Sequence, residues 1–447
     1  MASTIDTVTA PPGPQADVGR KAGELTDRLV FWVSVGVILV FSQCWILPIT
    51  GPSSDPVDPA VSASIRNYFF PVYLIVLGMI AMRPVGVGVA LLRAPMLVLL
   101  LTLTFVSIAW SIDPQVTFRR GIAVLFTTLA GVVIAERFAW PKFLEVFAAA
   151  FGIVVVLCFL FALLAPRYGV MTEDFPGAWR GVWGHKNQLG YDMSVAFMVF
   201  AASAMANPRR RWLWVGGMVA ATALMLLSTS KTSLVSCMIG AACIPLVAMA
   251  RRGPVWAVGA TWLWVSAVLV IAFVLYAAPE LPLGLIGKDA TLTGRTKIWT
   301  AVLHQIAKRP LTGYGFGAVW DSRSGWGPLP WISKEQGFTI HEAHNTWLGV
   351  WLELGYVGLA IWTLLFGGVW VRAIVALYRR PSAYFVLPFL TVFSLHTFTE
   401  SVALVQNDLI WLMFTAVATK LALPEVQRIV ERHRASRGEP GMSAVRT

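Results

Sequence analysis

Residues 251–278 read RRGPVWAVGATWLWVSAVLVIAFVLYAA. A basic pair is followed by an apolar run from about 255 to 278. A run of about 20 mostly apolar residues suits a helix that crosses a bilayer. The same pattern recurs along the chain, near 29–49, 67–82, 94–110, 121–136, 143–165, 188–206, 212–228, 232–250, 346–371, 383–400 and 402–422. The sequence therefore predicts an all-α, polytopic membrane bundle of about twelve transmembrane helices. The runs at 67–82 and 94–110 are short. The run at 346–371 contains Gly355 and Gly358 and reads as a short surface helix followed by the true span.

Composition agrees. Of 447 residues, 57% are hydrophobic and 13% charged, against about 45–50% and 25% in a soluble domain. Mean hydropathy is +0.69. These values exclude a soluble enzyme, a disordered chain and a nucleic-acid binder built on a basic patch. The formal net charge of +12 fits cytoplasmic loops that collect Lys and Arg. With the N-terminus inside, most of the 35 Lys and Arg fall on the inner side, in short loops such as NPRRR and ARRG. Both termini are then cytoplasmic. Residues 1–28 are polar and do not read as a signal peptide, so the first apolar run is expected to be retained. Cys44, Cys158, Cys237 and Cys243 lie in apolar runs and read as small buried hydrophobes.

The expected organisation is a polar tail (1–28), helices one to nine (29–278), a large periplasmic loop (279–345), helices ten to twelve (346–422) and a basic tail (423–447). Within the loop, Ile298, Trp299, Val302, Leu303 and Ile306 make one apolar stripe of a helix over 295–308, stopped by Pro310. Such a helix lies on the membrane or against the bundle. The GYGFG that follows (313–317) reads as a flexible turn.

Cations on the outer side oppose the topology bias and so invite explanation. They sit in compact polar strings: WSIDPQVTFRR (Trp110–Arg120), RGVWGHKNQLG (Arg180–Gly190), STSKTS (Ser228–Ser233), TGRTKIW (Thr293–Trp299) and HEAHNTWL (His341–Leu348). A sixth, SLHTFTES (Ser394–Ser401), carries no Lys or Arg. Helices distant in sequence can bring these strings into one cavity suited to a polyanion. Arg gives bidentate bonds to phosphate and Lys a point charge. The natural polyanion there is a polyprenyl pyrophosphate. Each residue also has a plainer reading. Arg119 and Arg120 fit headgroup anchors, and Lys231 fits snorkelling. Arg295 fits a pair with Asp289, Glu400 a pair with a neighbouring cation, and His185 a hydrogen-bonded structural role. His341-Glu-Ala-His344 is not the zinc motif HExxH, because its second His comes one residue early. No metal or other cofactor is expected. His344, followed by Asn345 at a helix entrance, suits acid–base work, since the ordinary His pKa is near 6.5.

Taken together the strings resemble the O-antigen ligase / Wzy-type polysaccharide polymerase superfamily, and within it the ExoQ-like exopolysaccharide polymerases. The resemblance rests on WSIDPQVTFRR, RGVWGHKNQLG, STSKTS, TGRTKIW with RPLTGYGFG, and HNTWLGVWLELGYVGL, in order across roughly 95–405. It implies an inverting, metal-independent glycosyltransferase of the bacterial inner membrane with a periplasmic active site. The implied donor is an undecaprenyl-pyrophosphate-linked glycan and the acceptor another glycan. A flippase and chain-length regulators of the same pathway are the expected protein partners. Arg295 and His344 match the family's key loop residues, and Arg180 with Lys186 its second basic site. Lys231 stands where the family's Ser-x-Ser-Arg-Thr-like string has Arg. The expected catalytic residues are His344, Arg295 and Glu400. The expected substrate-binding residues are Arg119, Arg120, Arg180, His185, Lys186, Asn187, Lys231 and Asn345. His344 would take or position the acceptor proton, Glu400 or Asn345 would orient it, and Trp183, Trp299 and Trp326 would stack on sugars. Alternatives are a ligase onto lipid A core, a peptidoglycan polymerase of the shape, elongation, division and sporulation type, and a transporter or flippase. A transporter would carry charges at mid-membrane, where this sequence has few.

Overall fold

The computed structural model describes residues 14–51, 59–173, 175–277, 295–321, 327–336, 340–379 and 382–424. Asp289, Trp326 and residues 1–13 and 425–447 lie outside these.

The chain runs α1 (Pro14–Phe41), α2 (Ile46–Thr50), α3 (Pro59–Met82), α4 (Pro84–Leu92), α5 (Pro95–Val106), α6 (Pro114–Arg137), α7 (Trp140–Leu164) and α8 (Pro166–Gly169). It continues with α9 (Lys186–Ala206), α10 (Arg211–Leu227), α11 (Lys231–Ala250), α12 (Pro254–Ala277), α13 (Arg295–Ile306) and α14 (Pro328–Gln336). The last three are α15 (Thr346–Arg379), α16 (Ala383–Thr399) and α17 (Leu409–Ala422). Each of the twelve apolar runs contains a helix. By length and composition, six helices among the described residues can cross a membrane, or seven if α4 with α5 onward to Trp110 counts as one span bent by 91°. That count is smaller than twelve: α10, α16 and α17 are short for a span, α4–α5 is broken, and α1 and α12 are not among the helices counted. Large apolar side chains such as Trp212, Leu164 and Val255 stay exposed around the bundle. In water that surface would aggregate, whereas in lipid it costs nothing. The protein is a multi-pass membrane protein.

Close helix contacts follow from small residues, as expected in lipid. α6 packs on α17, where a Cβ at Gly131 would come within 2.5 Å of the Leu412 carbonyl. The Trp411 indole donates to Thr128 Oγ1 at 3.0 Å across the same contact. α6 begins at Pro114, after Asp113 accepts from the Val116 amide at 3.0 Å. Thus part of WSIDPQVTFRR is a helix cap. Likewise Asp408 caps α17 through the Trp411 amide at 2.8 Å.

The predicted amphipathic helix is present as α13. It does not float on a membrane surface. Ile298, Val302 and Ile306 pack with Ile112, Tyr314, Val319, Ile332, Ile340 and Leu352 in a small core separate from that of the bundle. The segment after α12 is thus a folded cap on one end of the bundle.

The GYGFG turn is pinned rather than flexible. The Tyr314 amide donates to the Leu352 carbonyl and Gly315 to Glu353. The Phe316 amide donates to Ser107 Oγ at 3.1 Å. The Thr117 hydroxyl donates to the Phe316 carbonyl at 2.9 Å. α15 breaks at Gly355 (φ 65°, ψ −166°), as the glycine pair suggested. A Cβ there would sit 2.1 Å from the Leu311 carbonyl, so the break lets the cap dock on the helix.

Candidate active site

Three elements converge beneath the cap. α13 starts with Arg295, α15 follows His344-Asn345, and α16 ends at Glu400. The Arg295 guanidinium donates to Glu400 Oε1 at 2.6 Å, with both side chains nearly buried. His344 Nδ1 lies 3.1 Å from Glu400 Oε2 and 3.1 Å from Glu342 Oε1. Among the described residues, its Nε2 has no protein partner and is the nitrogen left for a substrate.

The loop carrying His344 is stitched to the end of α16. The Thr346 hydroxyl donates to the Glu400 carbonyl at 3.0 Å and accepts from the Val402 amide at 2.9 Å. The Trp347 indole donates to Thr397 Oγ1 at 3.1 Å. Asn345 Oδ1 accepts from the Leu348 amide, and its Nδ2 donates to the Phe398 carbonyl. Asn345 is therefore a cap and a clip, and the carboxylates in contact with the imidazole are those of Glu400 and Glu342. His344 has φ 48°, a left-handed conformation that costs a non-glycine residue on the order of 1–2 kcal/mol.

Electrostatics set the proton count. Burial disfavours the imidazolium, but hydrogen bonds and charge from Glu342 and Glu400 outweigh it and raise the His344 pKa to about 9. For Glu400, burial pushes the pKa up, while His344 and Arg295 hold it below its ordinary value. At neutral pH the group is a guanidinium, a shared carboxylate and a protonated imidazole. The ligand atoms of Glu342, His344 and Glu400 lie within 4.8 Å of one another, close enough to hold a cation. The Arg295 charge on Glu400 opposes a divalent ion there.

A second cluster sits where α9 and α11 begin. Lys186 Nζ donates to Thr229 Oγ1 at 3.0 Å and lies 4.1 Å over the Phe175 ring. Lys231 is near enough to repel it. His185 caps α9, its Nδ1 accepting from the Asn187 amide at 3.1 Å. α9 reaches the triad's end of α16 through Ser194, whose hydroxyl is 3.2 Å from His396 Nε2. Arg180 is buried and donates to the Tyr168 and Arg167 carbonyls at 2.8 and 3.0 Å, closing the short helix α8. Arg120 donates to the Gly317 carbonyl at 2.7 Å, and Arg119 to Gln115 on its own helix. Trp183 is closed to a sugar, whereas Trp299 is only partly buried. Trp183 is buried on the Ser42 carbonyl at 2.8 Å, and Trp299 donates to the Ala343 carbonyl at 3.2 Å.

Sequence reasoning missed Glu342, Glu353 and Trp320. Beside the triad they line a polar cavity of about 220 Å³. Glu353 was a detectable signal, as an acid inside an apolar run.

A family profile described as O-antigen ligase matches residues 216–363. That stretch holds Lys231, Arg295 and His344 but ends before Glu400. The "Exopolysaccharide production protein ExoQ" of Rhizobium meliloti (strain 1021) is 26% identical over 274 residues, covering 58% of this chain and 60% of the relative. The chain thus aligns with less than two thirds of that relative's length. Over these stretches the chain is similar to the O-antigen ligase family and to ExoQ, and the matched residues include Arg295 and His344 of the buried Arg–Glu–His group.

Proposed function

We propose that this chain transfers a glycan from a polyprenyl-diphosphate carrier to a sugar hydroxyl, and so lengthens a polysaccharide at the periplasmic face of the inner membrane. The observation that carries this reading is the Arg295–Glu400–His344 group, which holds a nearly buried guanidinium beside a protonated imidazole open at Nε2. Its chemistry suits a diphosphate leaving group. The acceptor hydroxyl gives its proton to a carboxylate beside His344 as its oxygen attacks the anomeric carbon from the face opposite the diphosphate. The C–O bond to phosphate breaks, and its electron pair leaves on the diphosphate. His344, protonated in the resting site, donates from Nε2 to a phosphate oxygen, and Arg295 adds fixed positive charge. Lys186 and Lys231 supply point charges for the same group, and Arg180 holds α8 beside them. A diphosphate leaves readily, so no strong acid and no metal enter this scheme.

The test uses a deletion strain complemented with wild type, His344→Ala or Arg295→Ala, with lipid-linked glycans extracted and sized. Single lipid-linked repeats accumulating with loss of polymer is the expected result. Full-length lipid-linked polymer accumulating unattached identifies a ligase instead. No change in either pool rejects the enzyme reading.

A further inference from the structure

The cavity beside the triad has its own chemistry. It is lined by Arg120, Trp320, His341, Glu342, Glu353 and Gln406, among others. Glu353 Oε2 accepts the Gly317 amide at 2.9 Å, and the Trp320 indole bonds to the same carboxylate. The residue is partly buried and lines the cavity. Two carboxylates against one guanidinium make a poor diphosphate site. An aromatic edge, an amide, two carboxylates and an arginine make a good site for a neutral polyhydroxyl ring, whose hydroxyls both donate and accept. The volume of about 220 Å³ corresponds to about seven waters at liquid density. That is room for one sugar ring rather than a whole repeat. Glu342 joins the two sites: it lines the cavity and bonds His344 Nδ1 at 3.1 Å.

We infer that this cavity is the acceptor-sugar subsite, and that Glu342 receives the proton of the attacking hydroxyl. The inference rests on the transferase reading above. The acceptor O–H bond breaks as its oxygen bonds to the anomeric carbon, the proton goes to a Glu342 carboxylate oxygen, and the diphosphate departs with the electron pair of its C–O bond. Because His344 already holds a proton at neutral pH, this division of labour gives donor and acceptor sides each its own group.

The test is saturation-transfer NMR on the purified full-length protein in nanodiscs. The probes are methyl pyranosides of glucose, galactose, mannose and N-acetylglucosamine, with inorganic pyrophosphate as competitor. At least one pyranoside should bind. Trp320→Ala and Gln406→Ala should weaken it on the order of tenfold, while Arg295→Lys keeps it. The Trp320 and Gln406 variants should still bind pyrophosphate, which shows that they fold. Displacement by pyrophosphate, absence of any pyranoside signal, or equal binding by both variants overturns the subsite. For the proton step, turnover of lipid-linked repeats isolated from the native strain should be lost in Glu342→Gln and partly restored in Glu342→Asp; full activity in Glu342→Gln overturns that role. Failure of the subsite leaves wild-type polymer formation intact, whereas absence of wild-type transfer sinks the parent reading while sugar binding survives.

Discussion

Trp299 donates its indole N–H to the carbonyl of Ala343 at 3.2 Å. The helix that begins with Arg295 therefore also grips the residue just before His344. One rigid element sets both the guanidinium and the strained backbone of the histidine.

Trp299→Phe keeps the ring and removes that bond. A net hydrogen bond is worth about 1 kcal/mol, and loosening here misplaces His344. Transfer of lipid-linked glycan should fall roughly fivefold with expression unchanged. Full activity would show that the His344 loop is held by its α16 contacts alone.

Removing Glu400 leaves the Arg295 guanidinium without its carboxylate in a nearly closed site, whereas removing Arg295 leaves Glu400 bonded to the His344 imidazolium. Glu400→Ala should cost about 3–5 kcal/mol, and Arg295→Ala less. The double variant Arg295→Ala/Glu400→Ala should lose less than the sum of the two single losses. Thermal unfolding in detergent reads this directly, and strict additivity would argue against a coupled pair.

The His344 proton gives a pH signature. Its folded-state pKa of about 9 lies above the ordinary value near 6.5. The stabilisation it brings is therefore complete below about 6.5 and is lost as pH rises through about 9. The Tm difference between wild type and His344→Gln should shrink across that window. Transfer should also decline as pH passes about 9, because the donor proton is gone. A Tm difference that is flat from pH 7 to 10 would refute this.

Gly355→Ala places a methyl group against the Leu311 carbonyl in a left-handed turn. The variant should lose at least about 2 kcal/mol, with the cap detached from α15. Limited proteolysis should then cut near 307–313 faster than in wild type.

The bundle was legible because apolar runs and basic loops are local features. So were α13, from its stripe, and the break at Gly355. Arg295, His344 and Glu400 could be singled out as polar residues at helix ends, but their mutual contact spans 105 positions and no spacing encodes it. The GYGFG segment misled for a related reason. Its glycines do not signal mobility: they let the backbone press against Glu353, Ser111 and Arg120. The carbonyl partners of Arg180 on a neighbouring short helix leave no trace in sequence. The acceptor cavity was invisible because its walls come from α6, the cap, α15 and the segment before α17.

The cap's separate core has a consequence for biogenesis. Arg295 and His344 travel with the cap, whereas Glu400 belongs to the helix bundle. The Arg295–Glu400–His344 group therefore exists only where the cap meets the bundle, and any fault in cap folding removes two of its three members at once.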